Sequence, residues 1–236
     1  MELKLAIAKI DKYGDKSSGE TVEIIERING GLSIVLGDGL IDGVNKKTIS
    51  NFISHKVIEQ ISNGVNDGAA IRSASNQIFT ENKGRVQGNL NVISADLQSN
   101  RIIISSNSPV PFFLYDDENI DCLSTDSEPI GGREDLSPSI VELQIRPDMA
   151  IVVFSDGVFN SWKNQPNDVN ICTVIESLIR EQNLSAHQIA EFLINHAIRL
   201  DNGRPSDSMS VIVIMVFPLS RDKIRRINAS ISLDEG

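Results

Sequence analysis

Three aspartates stand where an apolar run ends or begins. Asp38 lies in Gly37-Asp38-Gly39, Asp156 in Ser155-Asp156-Gly157, and Asp207 just ahead of Ser208-Met209-Ser210-Val211. They are far apart in the chain, yet strand ends that neighbour one another in a sheet can bring such residues to one edge. Asp followed by Gly is also a common turn, and either pair alone reads that way. Three acids in this setting point instead to a site for hard divalent cations such as Mg²⁺ or Mn²⁺, which take carboxylate and carbonyl oxygens. The glycine after each of the first two acids lets the backbone come close enough to offer its own carbonyl.

Other chemistries fit less well. The segment Gly37-Asp38-Gly39-Leu40-Ile41-Asp42-Gly43 follows an apolar run and precedes a helical pattern, as a dinucleotide-binding loop would. Its third glycine falls one place late, and its two carboxylates would face a pyrophosphate. The hairpin order before it also lacks a βαβ unit. Residues 11–23 have the length of a calcium loop, but Tyr13 and Lys16 stand at the wrong positions for one. There is no Walker lysine loop and no G-x-S-x-G nucleophile elbow. His55, His187 and His196 fall on predicted helices without a partner at ligand spacing, so they read as surface or half-buried residues. Trp162 is expected to pack near the second Asp-Gly loop and shield it.

The acids need elements to hold them. Residues 3–10, 21–28 and 32–36 are short β-branched runs parted by turn residues, with Asn29-Gly30-Gly31 as a hairpin turn. Helical spacing follows over 46–62 and 68–82; Ile49, Phe52, Ile53, Val57 and Ile61 form a stripe in the first. Strands are predicted at 89–96, 101–106, 111–115, 139–145 and 150–155, then helices at 170–181 and 186–200. Ser185 and Gln188 form a candidate capping box for the last helix. A nearly all-apolar strand over 208–217 belongs at the centre of a sheet. Strands joined by hairpins, with helices in pairs, predict an α+β fold. Residues 118–138 read as a surface loop. Residues 1–218 read as one domain, and 219–236 as a basic then acidic tail that frays.

Composition narrows the function. A net charge of −10 among 236 residues argues against a nucleic-acid partner, which requires a basic footprint. An acidic protein that handles phosphate needs something other than Lys and Arg to neutralise it, and a bound metal is the candidate. No stretch approaches a membrane span, and charges at Glu2, Lys4 and Lys9 spoil a secretory signal. Cys122 and Cys172 have no metal-ligand spacing and read as reduced thiols, so a cytoplasmic location is expected.

The chain also resembles a family, the PPM or protein phosphatase 2C-like metal-dependent Ser/Thr phosphatases, in their bacterial SpoIIE/RsbU/RsbX branch. The resemblance runs from about Lys12 to Phe217. Ser18-Gly19-Glu20 with the two strands after it is similar to the branch's opening motif, and Gly37-Asp38-Gly39 to its second. Residues 91–115, with Pro109 and Pro111, resemble the central hairpin and its proline-bearing turn. Pro147-Asp148-Met149 through Ser155-Asp156-Gly157-Val158 is the nearest match, and Pro205-Ser206-Asp207-Ser208-Met209-Ser210 resembles the final motif.

The resemblance implies a four-layer α-β-β-α sandwich, with two antiparallel sheets flanked by helix pairs. It implies two Mn²⁺ or Mg²⁺ ions bridged by Asp38, with the Gly39 carbonyl beside it and Asp156 and Asp207 completing the shell. A metal-bridging water would attack phosphorus in line, without a phosphoenzyme. The implied substrate is a phosphorylated regulatory protein, of the kind that antagonises anti-sigma factors. Glu20 stands where the branch carries Asp, and would reach a metal through a water. Ile41-Asp42 and Asn107-Ser108 replace Gly-His pairs. These departures carry the alternative, a weak or inactive pseudophosphatase that serves as a binding module on the same fold.

Overall fold

The computed structural model describes residues 1–15, 18–40, 46–117, 119–124, 127–163, 170–180, 184–218, 222 and 224–230. Along them run β1 (Glu2–Ile10), β2 (Glu20–Glu26), β3 (Leu32–Gly39), α1 (Lys46–Ser62), α2 (Asp67–Asn82), β4 (Gly88–Asp96), β5 (Arg101–Ser106), β6 (Phe112–Asp116) and β7 (Asn119–Leu123). There follow β8 (Ser139–Gln144), β9 (Ala150–Phe154), α3 (Asp156–Lys163), α4 (Ile171–Arg180), α5 (Ala186–Leu200) and β10 (Met209–Phe217). The strands form two five-stranded sheets, ordered β1-β10-β9-β6-β7 and β2-β3-β4-β5-β8. Every pairing between them is antiparallel.

The two-residue period of the strands sorts their side chains into three cores and hence four layers. In β10, Ile212, Ile214 and Val216 face the second sheet, where Ile34, Leu36, Ile93, Ile102 and Ile104 meet them. The alternate residues Met209, Val211 and Val213 pack against Val158, Trp162, Ile175, Ile189 and Leu193 of α3, α4 and α5. On the other side of the molecule, Val35, Leu90 and Val92 pack against Ile49, Ile53 and Val57 of α1 and Ile71 and Ile78 of α2. This is the expected α+β sandwich of two antiparallel sheets between helices. The strand β10, paired on both edges and buried on both faces, is central as its composition requires.

Several boundaries differ from the sequence reading. The first sheet is covered by three helices rather than a pair. The additional one, α3, begins at Asp156 itself, and its eight residues are too short to show a period before an Asp-Gly that resembles a turn. The strand β3 continues through Asp38 to Gly39. The segment expected as a surface loop contains the edge strand β7, whose Asn119, Asp121 and Cys122 are exposed and give no apolar alternation. The same segment buries Ile130 and Leu136 completely. Both cysteines are free thiols, as expected, but Cys172 on α4 lies beside Cys122 on β7. The capping box of α5 is formed by Ser185 and Gln188. Of the segment after residue 218, Asp222 and residues 224–230 carry no helix or strand, and the rest lies outside the described residues.

Candidate active site

The acids of interest come from both sheets. Glu20 opens β2 and is the Cα partner of Asp38 near the end of β3, and Asp38 in turn faces Asn89 on β4. In the other sheet, β9 and β10 are antiparallel neighbours, so the first residue of α3, Asp156, emerges beside the turn that carries Asp207 into β10. Gly157 is what allows this approach. A Cβ there would stand 2.1 Å from the Ser208 carbonyl oxygen, so α3 can only start against β10 with a glycine at that place.

Serines then join the two sheets. The Gly19 N–H donates to Ser208 Oγ at 2.9 Å, and the Ser210 hydroxyl donates to Glu20 Oε2. Within the first sheet, Ser155 and Ser210 exchange two bonds, Ser155 N–H to the Ser210 carbonyl at 3.0 Å and Ser210 N–H to Ser155 Oγ at 2.8 Å. Helix α1 is pressed onto the end of β3 through Gly37 and Gly39. Added Cβ atoms would meet Ser54 Oγ at 2.3 Å and the Lys46 carbonyl oxygen at 2.9 Å respectively. That contact sets Lys46, the first residue of α1, over the acids, with Nζ 3.1 Å from Asp207 Oδ2 and 3.5 Å from Oδ1.

Carboxylates in such a place resist ionisation. Burial, then the neighbouring charges of Asp156 and Glu20, push Asp38 up to about 8, against a smaller opposing pull from Lys46. Burial also raises Glu20 to about 7, although hydrogen bonds from Ser210 and Ser155 favour its charged form. Asp156 is raised by burial and by Asp207. Lys46 moves the other way from its own burial: Asp207, Asp38 and Asp156 together hold its proton more tightly than an ordinary lysine. Glu20 is 1% exposed, and among the described residues its Oε1 has no hydrogen-bond partner. Its backbone carbonyl accepts from Lys9 at 2.6 Å and Lys47 at 2.8 Å.

Thus the structure brings Asp38, Asp156, Asp207 and Glu20 into one electrostatic cluster with the Gly39 backbone at its edge. The donor set suits a hard cation: carboxylate oxygens, one of them buried and unpartnered, whose mutual repulsion a divalent ion would relieve. Among the described residues, no three His, Cys, Asp or Glu side chains close on a common point as they stand. Ile41-Asp42 lies outside the described residues. Asn107 and Ser108 are buried; Asn107 Nδ2 donates to the Glu128 carbonyl, which fixes the turn before β6. His55 lies on α1, and His187 and His196 on α5. Trp162 is buried on α3 and stacks on His196 with ring centroids 4.5 Å apart.

Sequence reasoning missed Lys46, Ser208 and Ser210. The signal for Lys46 was present: Lys46-Lys47 places two cations at a helix N-terminus, against the macrodipole and with no acid in the first turn. A broken local rule of that kind marks a functional site.

Comparison with known proteins agrees with the fold. Stage II sporulation protein E of Priestia megaterium is 22% identical over 208 residues, which make up 88% of this chain and 35% of that protein. The chain therefore spans about a third of that relative's length. The solved PP2C phosphatase domain of SpoIIE from Bacillus subtilis, with a fragment of its regulatory domain, superposes with a TM-score of 0.76 at 19% identity. It covers 92% of this chain and 64% of that one. The catalytic domain of the serine/threonine phosphatase PstP in complex with two manganese ions gives a TM-score of 0.68 at 15% identity, covering 91% and 98%. A family model described as Stage II sporulation protein E (SpoIIE) matches residues 28–217, and the chain belongs to that family of PP2C-type phosphatase domains.

Proposed function

We propose that this chain is a metal-dependent serine/threonine protein phosphatase acting on a phosphorylated regulatory protein. The observation that carries the reading is the convergence of four acids from two sheets on one edge, with Asp38 and Glu20 too buried to ionise readily without a cation. Asp38, the Gly39 carbonyl, Asp156 and Asp207 would hold two divalent cations, Mn²⁺ or Mg²⁺, with Glu20 reaching one through a water. Bound there, such cations supply an activated water for in-line attack and neutralise the phosphoryl oxygens.

The chain's own part is to release the protons of Asp38 and Glu20 as metal enters, and to keep the carboxylates placed. Ser210 orients Glu20, Gly157 fixes the angle at which α3 presents Asp156, and two paired sheets keep the acids from moving apart. The family resemblance supports an anti-sigma-factor antagonist as the type of substrate. Residues 1–218 are taken as the phosphatase domain and 219–236 as a tail. Two free thiols suit the cytoplasm. No helix among the described residues is long and apolar enough to cross a membrane.

Hydrolysis of p-nitrophenyl phosphate and phosphopeptides with Mn²⁺, Mg²⁺ and EDTA tests the reading. Activity should require a divalent cation, and turnover that survives thorough chelation would end it. One observation favours the second reading, a weak or inactive binding module: the Lys46 ammonium already neutralises part of the cluster. Absence of turnover together with tight binding of a phosphoprotein would select it.

A further inference from the structure

Lys46 is not required by the fold of α1. As the first residue of that helix it sits at the positive end of the macrodipole, where a cation is disfavoured and an acid would stabilise. Its ammonium is nevertheless directed into the acid cluster, with Nζ 3.1 Å from Asp207 Oδ2 and within Coulombic reach of Asp38 and Asp156. The side chain is also seated. A Cβ built on Gly19 would lie 3.0 Å from Lys46 Cβ and 3.2 Å from Cδ, so the aliphatic stem runs along the Gly19 backbone toward the acids. The same Gly19 donates its N–H to Ser208. One short segment therefore both joins the sheets and provides the track for the lysine. Nearby, Glu20 Oε1 is buried and has no hydrogen-bond partner among the described residues, because Lys9 and Lys47 donate to the Glu20 carbonyl rather than to its carboxylate.

We propose that the Lys46 ammonium is a resident cation of this site, which competes with a divalent ion for the Asp207 carboxylate and so separates the affinities of the two metal positions. The inference rests on the metal-dependent reading above. A fixed charge at ion-pair distance from Asp207 repels a dication there and occupies the oxygens it would use. The position that would rely on Asp38 without Asp207 lies farther from the ammonium and keeps more of its affinity. The chain then loads one ion readily and the second only at high concentration, so metal supply sets how much of the protein is fully loaded.

The test is isothermal titration of the full chain with Mn²⁺ alone after removal of bound metal, with no substrate present. Lys46→Met keeps a stem that can lie along Gly19 and removes the charge; Lys46→Gln removes the charge and keeps a polar end. Both should bind the weaker Mn²⁺ about tenfold more tightly than the unaltered chain, and Lys46→Arg should leave the isotherm unchanged. Thermal unfolding in EDTA gives a second readout: without the ammonium the acids repel one another uncompensated, so both neutral variants should melt lower, and Mn²⁺ should raise them more. Two-ion isotherms that coincide for all four proteins overturn the competition and leave the phosphatase reading standing. No Mn²⁺ uptake by any of them defeats both.

Discussion

The second sheet carries a buried charge cluster at each end, and the two are built on opposite terms. At one end Arg27, just past β2, places Nη1 2.5 Å from Asp67 Oδ1 and 3.0 Å from the hydroxyls of Ser33 and Ser94. Those two serines bond each other at 2.7 Å. At the other end of the same strands, Glu20 and Asp38 share a cross-strand pair with Asp156 and Asp207 close by and Lys46 as counter-charge. One cluster matches a cation to an acid and gives the guanidinium three acceptors, with Asp67 Oδ2 alone left without a partner among the described residues. The other holds four acids with one ammonium, Lys46, in ion-pair contact with a carboxylate, while Lys9 and Lys47 sit on the Glu20 carbonyl. A fold gains nothing from the second arrangement, because buried like charges work against folding. The excess of acid is the mark of a site built to receive something positive.

The largest effect that would sharpen this contrast is on the matched cluster. Arg27→Met leaves Asp67 buried without its partner, so stability in denaturant melts should fall by about 3–5 kcal/mol. Mn²⁺ affinity should stay unchanged, because Arg27 stands at the far end of the strands. A variant as stable as the unaltered chain would remove the distinction between the two ends.

Next are the acids. Asp38→Asn and Asp156→Asn should each lower phosphatase turnover about 100-fold, or about 2.7 kcal/mol, with the fold retained in circular dichroism. Asn keeps the shape and one carbonyl but not the charge that compensates a dication. The Asp38 defect should resist added Mn²⁺ most, whereas Asp207→Asn should recover partly at high Mn²⁺. Near-normal turnover of Asp38→Asn at saturating metal would remove that residue from the bridging role.

A smaller effect is in the pH dependence of the metal-free protein. The folded-state values of Asp38 and Glu20, about 8 and about 7, lie above their ordinary 3.8 and 4.5. Between those limits the native state binds more protons than the unfolded chain, so stability falls as pH rises. The contribution is fully present below the ordinary carboxylate range and is lost as pH climbs through 7 to 8. In EDTA the melting temperature should drop by about 3 °C per pH unit for each group that keeps its proton in the folded state, with the slope fading as pH passes through 7 to 8. Saturating Mn²⁺ should flatten or reverse the slope, since metal takes the place of the protons. A metal-free protein with no pH dependence there would mean that these acids are better solvated than their burial indicates.

Much of this was legible in the sequence. The period-2 pattern of β10 and the 3.6-period stripe of α1 set the layers, and the apolar runs ending in Asp38 and Asp156 located two of the acids. What escaped depends on three-dimensional approach. Gly157 reads as half of a turn, and only the 2.1 Å to the Ser208 carbonyl shows it to be the contact between α3 and β10. Lys46 reads as the solvated start of a helix, and only the packing of α1 on Gly39 turns it toward the acids. β7 has no apolar alternation because it is an edge strand with most of its side chains in water. Glu20 read as a distant ligand because of its length, but the structure makes it the most buried acid of the cluster.

Glu20 also gives the mildest functional test. Its Oε2 is held by Ser210, and its Oε1 has no partner. Glu20→Gln preserves the length and an acceptor for the Ser210 hydroxyl while removing a charge that burial opposes. In EDTA at pH 8 the variant should therefore be more stable than the unaltered chain by about 3 kcal/mol, the order set by a shift from 4.5 to about 7. Turnover should fall by less than about tenfold, because a residue that reaches metal through a water loses one charge-assisted hydrogen bond rather than a coordination bond. The two readouts then move in opposite directions, which neither a purely structural acid nor a direct ligand would give. A structural role would lower stability and leave turnover alone, and a direct ligand would cost as much turnover as Asp38→Asn.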